Sequence, residues 1–155
     1  MKIYRLTRTQ TLRLSIEEAW DFFAAPQNLQ QITPPDLDFK IMTADEGPMY
    51  AGMMITYRIK PMFAIPITWV TEITHAEAPH YFVDEQRFGP YRFWHHQHKF
   101  RATTSGVEMD DIVHYALPMG WLGRVAHAMV IKKQLETIFD HRFHKLERMC
   151  GAVRS

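Results

Sequence analysis

Between Leu37 and Tyr115 the chain reads strand, turn, strand without interruption, and then its period changes for good. Phe39–Thr43, Met53–Ile59, Ile67–Ile73, Tyr81–Arg87, Tyr91–Arg101 and Val107–Tyr115 are runs rich in β-branched and aromatic residues, separated by turn residues such as Gly47-Pro48, Lys60-Pro61, Gly89-Pro90 and Ser105-Gly106. Strands so close in sequence pair most simply as an antiparallel meander. Pro118-Met-Gly120 ends the run, and residues 121–149 contain no Pro and no Gly after Gly123. There Trp121, Val125, Ala128, Leu135, Phe139, Phe143 and Leu146 fall in one broad helical stripe, with Gln134, Thr137, His141, His144, Lys145 and Arg148 opposite. A helix of ~28 residues is ~42 Å long, enough to cross a sheet. A curved antiparallel sheet must bury its concave face, and this helix is the only large apolar partner on offer.

The N-terminal part completes the picture. Residues 3–14 alternate as a strand. Ser15-Ile-Glu-Glu18 is a capping box, followed by Ile16, Ala19, Trp20 and Phe23 at helical spacing. Pro26 stops or kinks that helix, a second short helix covers Asn28–Ile32, and Thr33-Pro34-Pro35 ends it. The expectation is an α+β fold: a curved antiparallel sheet of about seven strands, two short helices after strand 1, a long C-terminal helix across the concave face, and an internal cavity. The length of 155 residues suits a single ligand-binding domain spanning 1–155.

Composition narrows the function classes. Lys plus Arg number 18 against 17 Asp plus Glu, so nothing argues for nucleic acid. The single Cys150 excludes an internal disulfide and fits a reducing compartment. No signal-peptide block and no run of about 18 apolar residues occurs, so a soluble cytoplasmic protein is expected. No nucleotide loop and no nucleophile elbow are present, and no cofactor is called for. Nothing in the pattern bears on oligomeric state. Aromatics are abundant at 13% and Met residues number 10, which suits a large core or an adaptable apolar cavity. Met49, Tyr50, Met53 and Met54, with Met62 and Phe63, lie at strand-connecting loops and offer either core or a rim for transient membrane contact.

The segment Tyr91-Arg-Phe-Trp-His-His-Gln-His-Lys-Phe100 carries the chemistry. On a strand, Trp94, His96, His98 and Phe100 share one face. Two imidazoles between two aromatic rings suit the wall of a cavity that is apolar with a few polar handles. Phe82, Asp84 and Gln86 share a face of the preceding strand. Met109, Asp111, Val113 and Tyr115 share a face of the next one. Antiparallel pairing brings Asp84, Gln86 and Asp111 alongside His96 and His98 as a polar band. Trp20, Phe23, Leu29, Ile32, Tyr57, Trp69, Phe82, Phe93, Met129 and Phe139 are lining candidates. Lys132 and Glu136, four residues apart inside the stripe, form an ion pair over the cavity mouth, reach a polar ligand end, or snorkel outward. His-x-His with Asp84 or Asp111 is a weak metal signal, and no metal is expected. His95 and His114 point away.

The chain resembles the START-like or helix-grip superfamily, also called SRPBCC, over essentially its whole length. Phe82-Val-Asp84-Glu-Gln86, Gly89-Pro-Tyr91, Trp94-His-His96-Gln-His98-Lys-Phe100, Met109-Asp-Asp111-Ile-Val113-His-Tyr115, Leu117-Pro-Met-Gly120 and Ile138-Phe-Asp-His-Arg142 carry the likeness, nearest to a bacterial subgroup whose members mostly lack an assigned function. The superfamily includes polyketide cyclases, coenzyme Q-binding proteins and lipid-transfer domains, so the resemblance implies a hydrophobic cavity between sheet and C-terminal helix. Binding or transport of a small hydrophobic molecule is the leading expectation. A cyclase, dehydratase-like or hydrolytic enzyme using His96, His98 and Asp111 for acid–base work is the alternative. An interaction module with a filled core is the third.

Overall fold

The computed structural model describes residues 1–61 and 65–151. Met62 and Phe63 lie outside the described residues. Strand β1 (Tyr4–Leu12) leads to helices α1 (Ile16–Phe23) and α2 (Pro26–Ile32) and a 3₁₀ turn (Pro35–Leu37). Strands β2 (Lys40–Ala44), β3 (Met54–Ile59), β4 (Ile67–Glu77), β5 (Tyr81–Phe88), β6 (Phe93–Thr103) and β7 (Gly106–Ala116) come next. The chain then runs through α3 (Gly120–Ala126), a π-helical turn (His127–Ile131) and α4 (Lys132–Cys150). The seven strands form one antiparallel sheet in the order β1-β7-β6-β5-β4-β3-β2. This is the helix-grip arrangement expected from the pattern, with β1 returning to pair with the last strand.

Local chemistry explains the element ends. Ser15 Oγ accepts from the Glu18 N–H, and the Glu18 carboxylate accepts from the Ser15 N–H, so the expected capping box forms. Pro26 does not kink α1 but opens α2 at its first turn, where its missing N–H costs nothing. Gly89 turns β5 into β6 with φ of 157°, and a Cβ there would sit 2.5 Å from Gln86 Oε1. Gln86 braces the same turn, donating to the Tyr91 carbonyl at 2.6 Å and accepting from its N–H at 3.2 Å.

Two buried clusters fill the space between sheet and helices. In one, Trp20 of α1 meets Phe82 and Phe100 edge-on at 5.9 and 6.2 Å, beside Leu12, Ile73 and Leu146. In the other, Leu135 and Phe139 of α4 pack with Trp69, Trp94, Val113 and Tyr115. The long C-terminal helix forms, running without a gap from Gly120 to Cys150 through the π turn. Its apolar stripe is corrected: Trp121 and Val125 are 64% and 48% exposed, and the lining candidate Met129 is 74% exposed. A π turn inserts a residue and rotates the downstream helix by roughly 100°. The apolar face of α3 therefore does not line up with that of α4. Phe143 is half-buried, and Leu135, Phe139 and Leu146 are the stripe residues that reach the core.

Replacing Leu146, 1% exposed, by Ala is expected to cost about 2–5 kcal/mol. Met129→Ala should stay within about 0.5 kcal/mol of wild type. Urea denaturation measures both, and equal effects would show that α4 does not close the core.

Candidate functional site

Strand alternation places the β6 side chains as the sequence pattern requires. Trp94, His96, His98 and Phe100 are buried, while Phe93, His95 and Gln97 sit half-buried on the other face. Register then supplies the carboxylates. Asp84 of β5 stands opposite His96, and Asp111 of β7 stands opposite His98. Each imidazole therefore has one Asp directly across and the other Asp diagonally near.

The four groups close into a ring. His96 Nε2 and Asp111 Oδ1 are 3.0 Å apart, and His98 Nε2 and Asp84 Oδ2 are 2.9 Å apart, both as hydrogen bonds. The second nitrogen of each imidazole also meets a carboxylate: His96 Nδ1 lies 3.2 Å from Asp84 Oδ2 and His98 Nδ1 lies 3.0 Å from Asp111 Oδ1. The two imidazoles pack with centroids 3.8 Å apart, and Phe82 stacks on His98 at 4.0 Å.

Asp84, His96 and His98 face a cavity of about 190 Å³ between the sheet, α1, α2 and α4. Its wall is otherwise mostly apolar: Phe22, Phe23, Leu29 and Ile32 from the first helices, Ile55, Tyr57 and Ile59 from β3, Trp69 and Ile73 from β4, Leu135, Ile138 and Phe139 from α4. Tyr57 Oη and Thr71 Oγ1 form a hydrogen bond of 3.0 Å, and Arg142 enters from α4 with its guanidinium 5.2 Å over the Phe139 ring. Buried polar atoms are nearly always hydrogen-bonded. Trp69 Nε1, Arg142 Nε and His98 Nδ1 are the exceptions among the described residues, and all three residues line this cavity.

Electrostatics follow from the ring. Burial pushes the His96 pKa down, but the charge of Asp84 and the hydrogen bond with Asp111 outweigh it and lift the group to about 8. Burial raises the carboxyl of Asp84, yet the charge of His96 and its hydrogen bonds with both imidazoles hold it below the usual range. Burial opposes the charge on Asp111 too, but Arg142 and the two histidines keep it well below its ordinary value. Burial, with the negative charge of Asp84, pushes the Tyr57 phenol up.

Of the site residues expected from sequence, Asp84, Trp94, His96, His98, Trp69, Phe82, Tyr57 and Phe139 line the cavity. Five do not. Asp111 is 4% exposed and sits behind the histidines rather than on the cavity wall. Gln86 is spent on the Tyr91 turn. Tyr115 is buried among Tyr4, Tyr91 and Trp94 outside the lining. Met129 is exposed because α3 and the π turn are out of phase with α4. Lys132 is exposed and sits 3.8 Å from Glu136, an ion pair away from the lining. Of the generic lining candidates, Trp20 packs in the core and Phe93 lies on the far face. Arg142, Thr71 and Tyr91 were missed. Arg142 had a signal, since 135, 139, 142 and 146 share one helical stripe. Thr71 lies two residues from Trp69 and shares its strand face.

No family model matches the chain, and no curated protein matches it. Solved structures do match in shape. The Zhui aromatase/cyclase from Streptomyces sp. R1128 superposes with a TM-score of 0.69 at 10% identity, over 95% of each chain. The protein CV1439 from Chromobacterium violaceum gives 0.70 at 11% identity, over 99% of this chain and 100% of that one. A Staphylococcus aureus protein of unknown function gives 0.68 at 14% identity, over 95% of each. At such identities the likeness speaks to the fold, which these proteins share.

The ring predicts a pH optimum of stability. An imidazole lifted from about 6.5 to about 8 contributes fully below 6.5 and loses its contribution as pH rises through 8. Asp84 and Asp111, both depressed, contribute above about 3.8 and lose that contribution as pH falls. Urea stability measured in chelating buffer is therefore expected to be highest between about pH 4 and 6.5. It should drop by on the order of 2 kcal/mol toward pH 9. His96→Gln should flatten that alkaline slope, whereas an unchanged slope would put the titrating group elsewhere.

Proposed function

We propose that residues 1–155 form a single ligand-binding domain that holds a small hydrophobic molecule in the cavity, with the Asp84–His96–His98 wall as its polar handle. One observation carries the reading: an apolar pocket of about 190 Å³ has buried, ionisable groups gathered on one wall and unpaired donors on Trp69 and Arg142. Ligand sites combine apolar walls with few convergent polar groups. The orphan N–H groups of Trp69 and Arg142 suit a ligand carrying at least one oxygen acceptor, as a quinone, a polyketide or a lipid carbonyl does. Trp94 and Trp69, edge-on at 5.2 Å, provide flat aromatic surface for a ring.

Among the described residues no helix is long and apolar enough to cross a membrane. We place the protein in the cytoplasm. Of the rim residues expected from sequence, Met53 is buried and Met49 lines the cavity, so transient membrane contact falls to the exposed Tyr50 and Met54.

A second reading is favoured by the histidine geometry alone. His96 lines the cavity with Nε2 held by Asp111 and Nδ1 3.2 Å from Asp84, so an imidazole–carboxylate pair stands at the wall as a general acid or base would. The aromatase/cyclase of like fold gives this reading its chemistry, proton transfer on a bound carbonyl compound, and a hydrolytic reaction would use the same pair. A carrier keeps its ligand unchanged. An enzyme turns it over and loses turnover, fold intact, in His96→Gln.

Native mass spectrometry of freshly purified protein, followed by organic extraction, tests the binding reading. One apolar molecule per chain is expected, lost in Ile41→Trp, which fills the cavity from β2. A clean mass that stays clean after incubation with lipids, quinones and aromatic polyketides would overturn it in favour of a filled core.

A further inference from the structure

We propose that Asp84, His96 and His98 bind one divalent transition-metal ion at the polar wall of the cavity, with Asp111 holding both imidazoles from behind. The donor atoms of the three residues lie within 4.8 Å of one another. Asp84 Oδ2 stands 3.2 Å from His96 Nδ1 and 2.9 Å from His98 Nε2. Ligand atoms bound at about 2.0–2.1 Å to a tetrahedral ion are roughly 3.3 Å apart. These contacts are thus already close to the separations of a first coordination sphere. All three residues line the cavity, so further coordination positions open toward it.

Two imidazoles and one carboxylate select the class of ion. Calcium and magnesium take oxygen ligands and are poorly served by such a set. Zinc, iron(II) and cobalt(II) accept it, and two His with one carboxylate and open positions is a recurrent arrangement for them.

Asp111 supplies the second, independent observation. Its Oδ1 lies 3.0 Å from His96 Nε2 and 3.0 Å from His98 Nδ1. In both rings that is the nitrogen other than the one nearest Asp84. A metal-bound histidine commonly presents its remaining N–H to such a carboxylate, which orients the ring. The arrangement also accounts for an orphan. His98 Nδ1 is buried without a hydrogen-bond partner while His98 Nε2 carries the bond to Asp84. Metal at Nε2 moves the ring proton to Nδ1, directly beside the Asp111 oxygen. The proposal does not depend on which molecule fills the apolar part of the cavity.

Chelator-treated, dialysed protein titrated with Co²⁺ tests it. The expected result is one Co²⁺ per chain with visible ligand-field absorption that Zn²⁺ bleaches. Long-range ¹⁵N spectra of the wild-type protein should show the His96 and His98 imidazoles moving on Zn²⁺ addition while exposed His144 stays in place. Asp84→Asn and His98→Gln should lose the absorption, each variant checked for fold by thermal melting. Asp111→Asn, which removes a positioning residue, should keep the stoichiometry and weaken affinity about 10–100-fold. His144→Gln should change nothing. Absence of saturable binding, or binding that leaves the His96 and His98 resonances unmoved, would overturn the proposal even if every variant failed to fold.

Discussion

Two carboxylates and two imidazoles buried in an apolar wall are stable only if they satisfy one another, and strand register is what lets them. Asp84, His96, His98 and Asp111 come from three adjacent strands and meet because β5, β6 and β7 pair with no slip across these positions. A shift of one residue would turn the histidines to the outer face and leave both aspartates without partners. The polar ring therefore acts as a register lock. Its charges cost desolvation energy, and the mutual contacts at 2.9–3.2 Å offset that cost.

Everything around the ring keeps water away from it. Phe82 stacks on one imidazole and Phe139 lies edge-on to the other at 5.6 Å. Trp69, Trp94 and Tyr91 form a connected aromatic wall beside it. The helices α1, α2 and α4 cover the sheet without filling the space in front of the histidines, which leaves the cavity. A low-dielectric surrounding strengthens each charge contact, and it raises the stakes of any donor left unpaired. Trp69 and Arg142, both of which line the cavity, carry such donors.

Much of this was legible in order of difficulty. The meander, the capping box at Ser15 and the inward phase of β6 follow from alternation and local hydrogen bonding, which are properties of neighbouring residues. The proximity of Asp84 and Asp111 to the histidines followed from assuming antiparallel neighbours. The separate parts played by the two aspartates did not, because one faces the cavity and the other the rear of the rings, and only depth within the fold distinguishes them. Gln86 has the residue type of a ligand handle and the position of a turn brace. Helical phase puts Met129 inward, and the π turn at His127–Ile131 alters that phase, whereas Lys132 opens α4 beyond the turn and is exposed beside Glu136.

What the sequence determined by itself is therefore the element order and the face each strand presents. Both depend on spacing of two or of three to four residues, and such local periods survive without tertiary context. The tertiary structure alone decided three further things. It closed four polar groups into one ring at hydrogen-bond distance. It brought Arg142, a charged residue on the apolar face of α4, to the cavity wall. It also put a π turn into the C-terminal helix, whose first turns leave Trp121, Val125 and Met129 exposed. Each of these depends on where distant segments come to rest against one another. That is settled by packing and by the demand that buried polar atoms find partners, neither of which any short stretch of sequence contains.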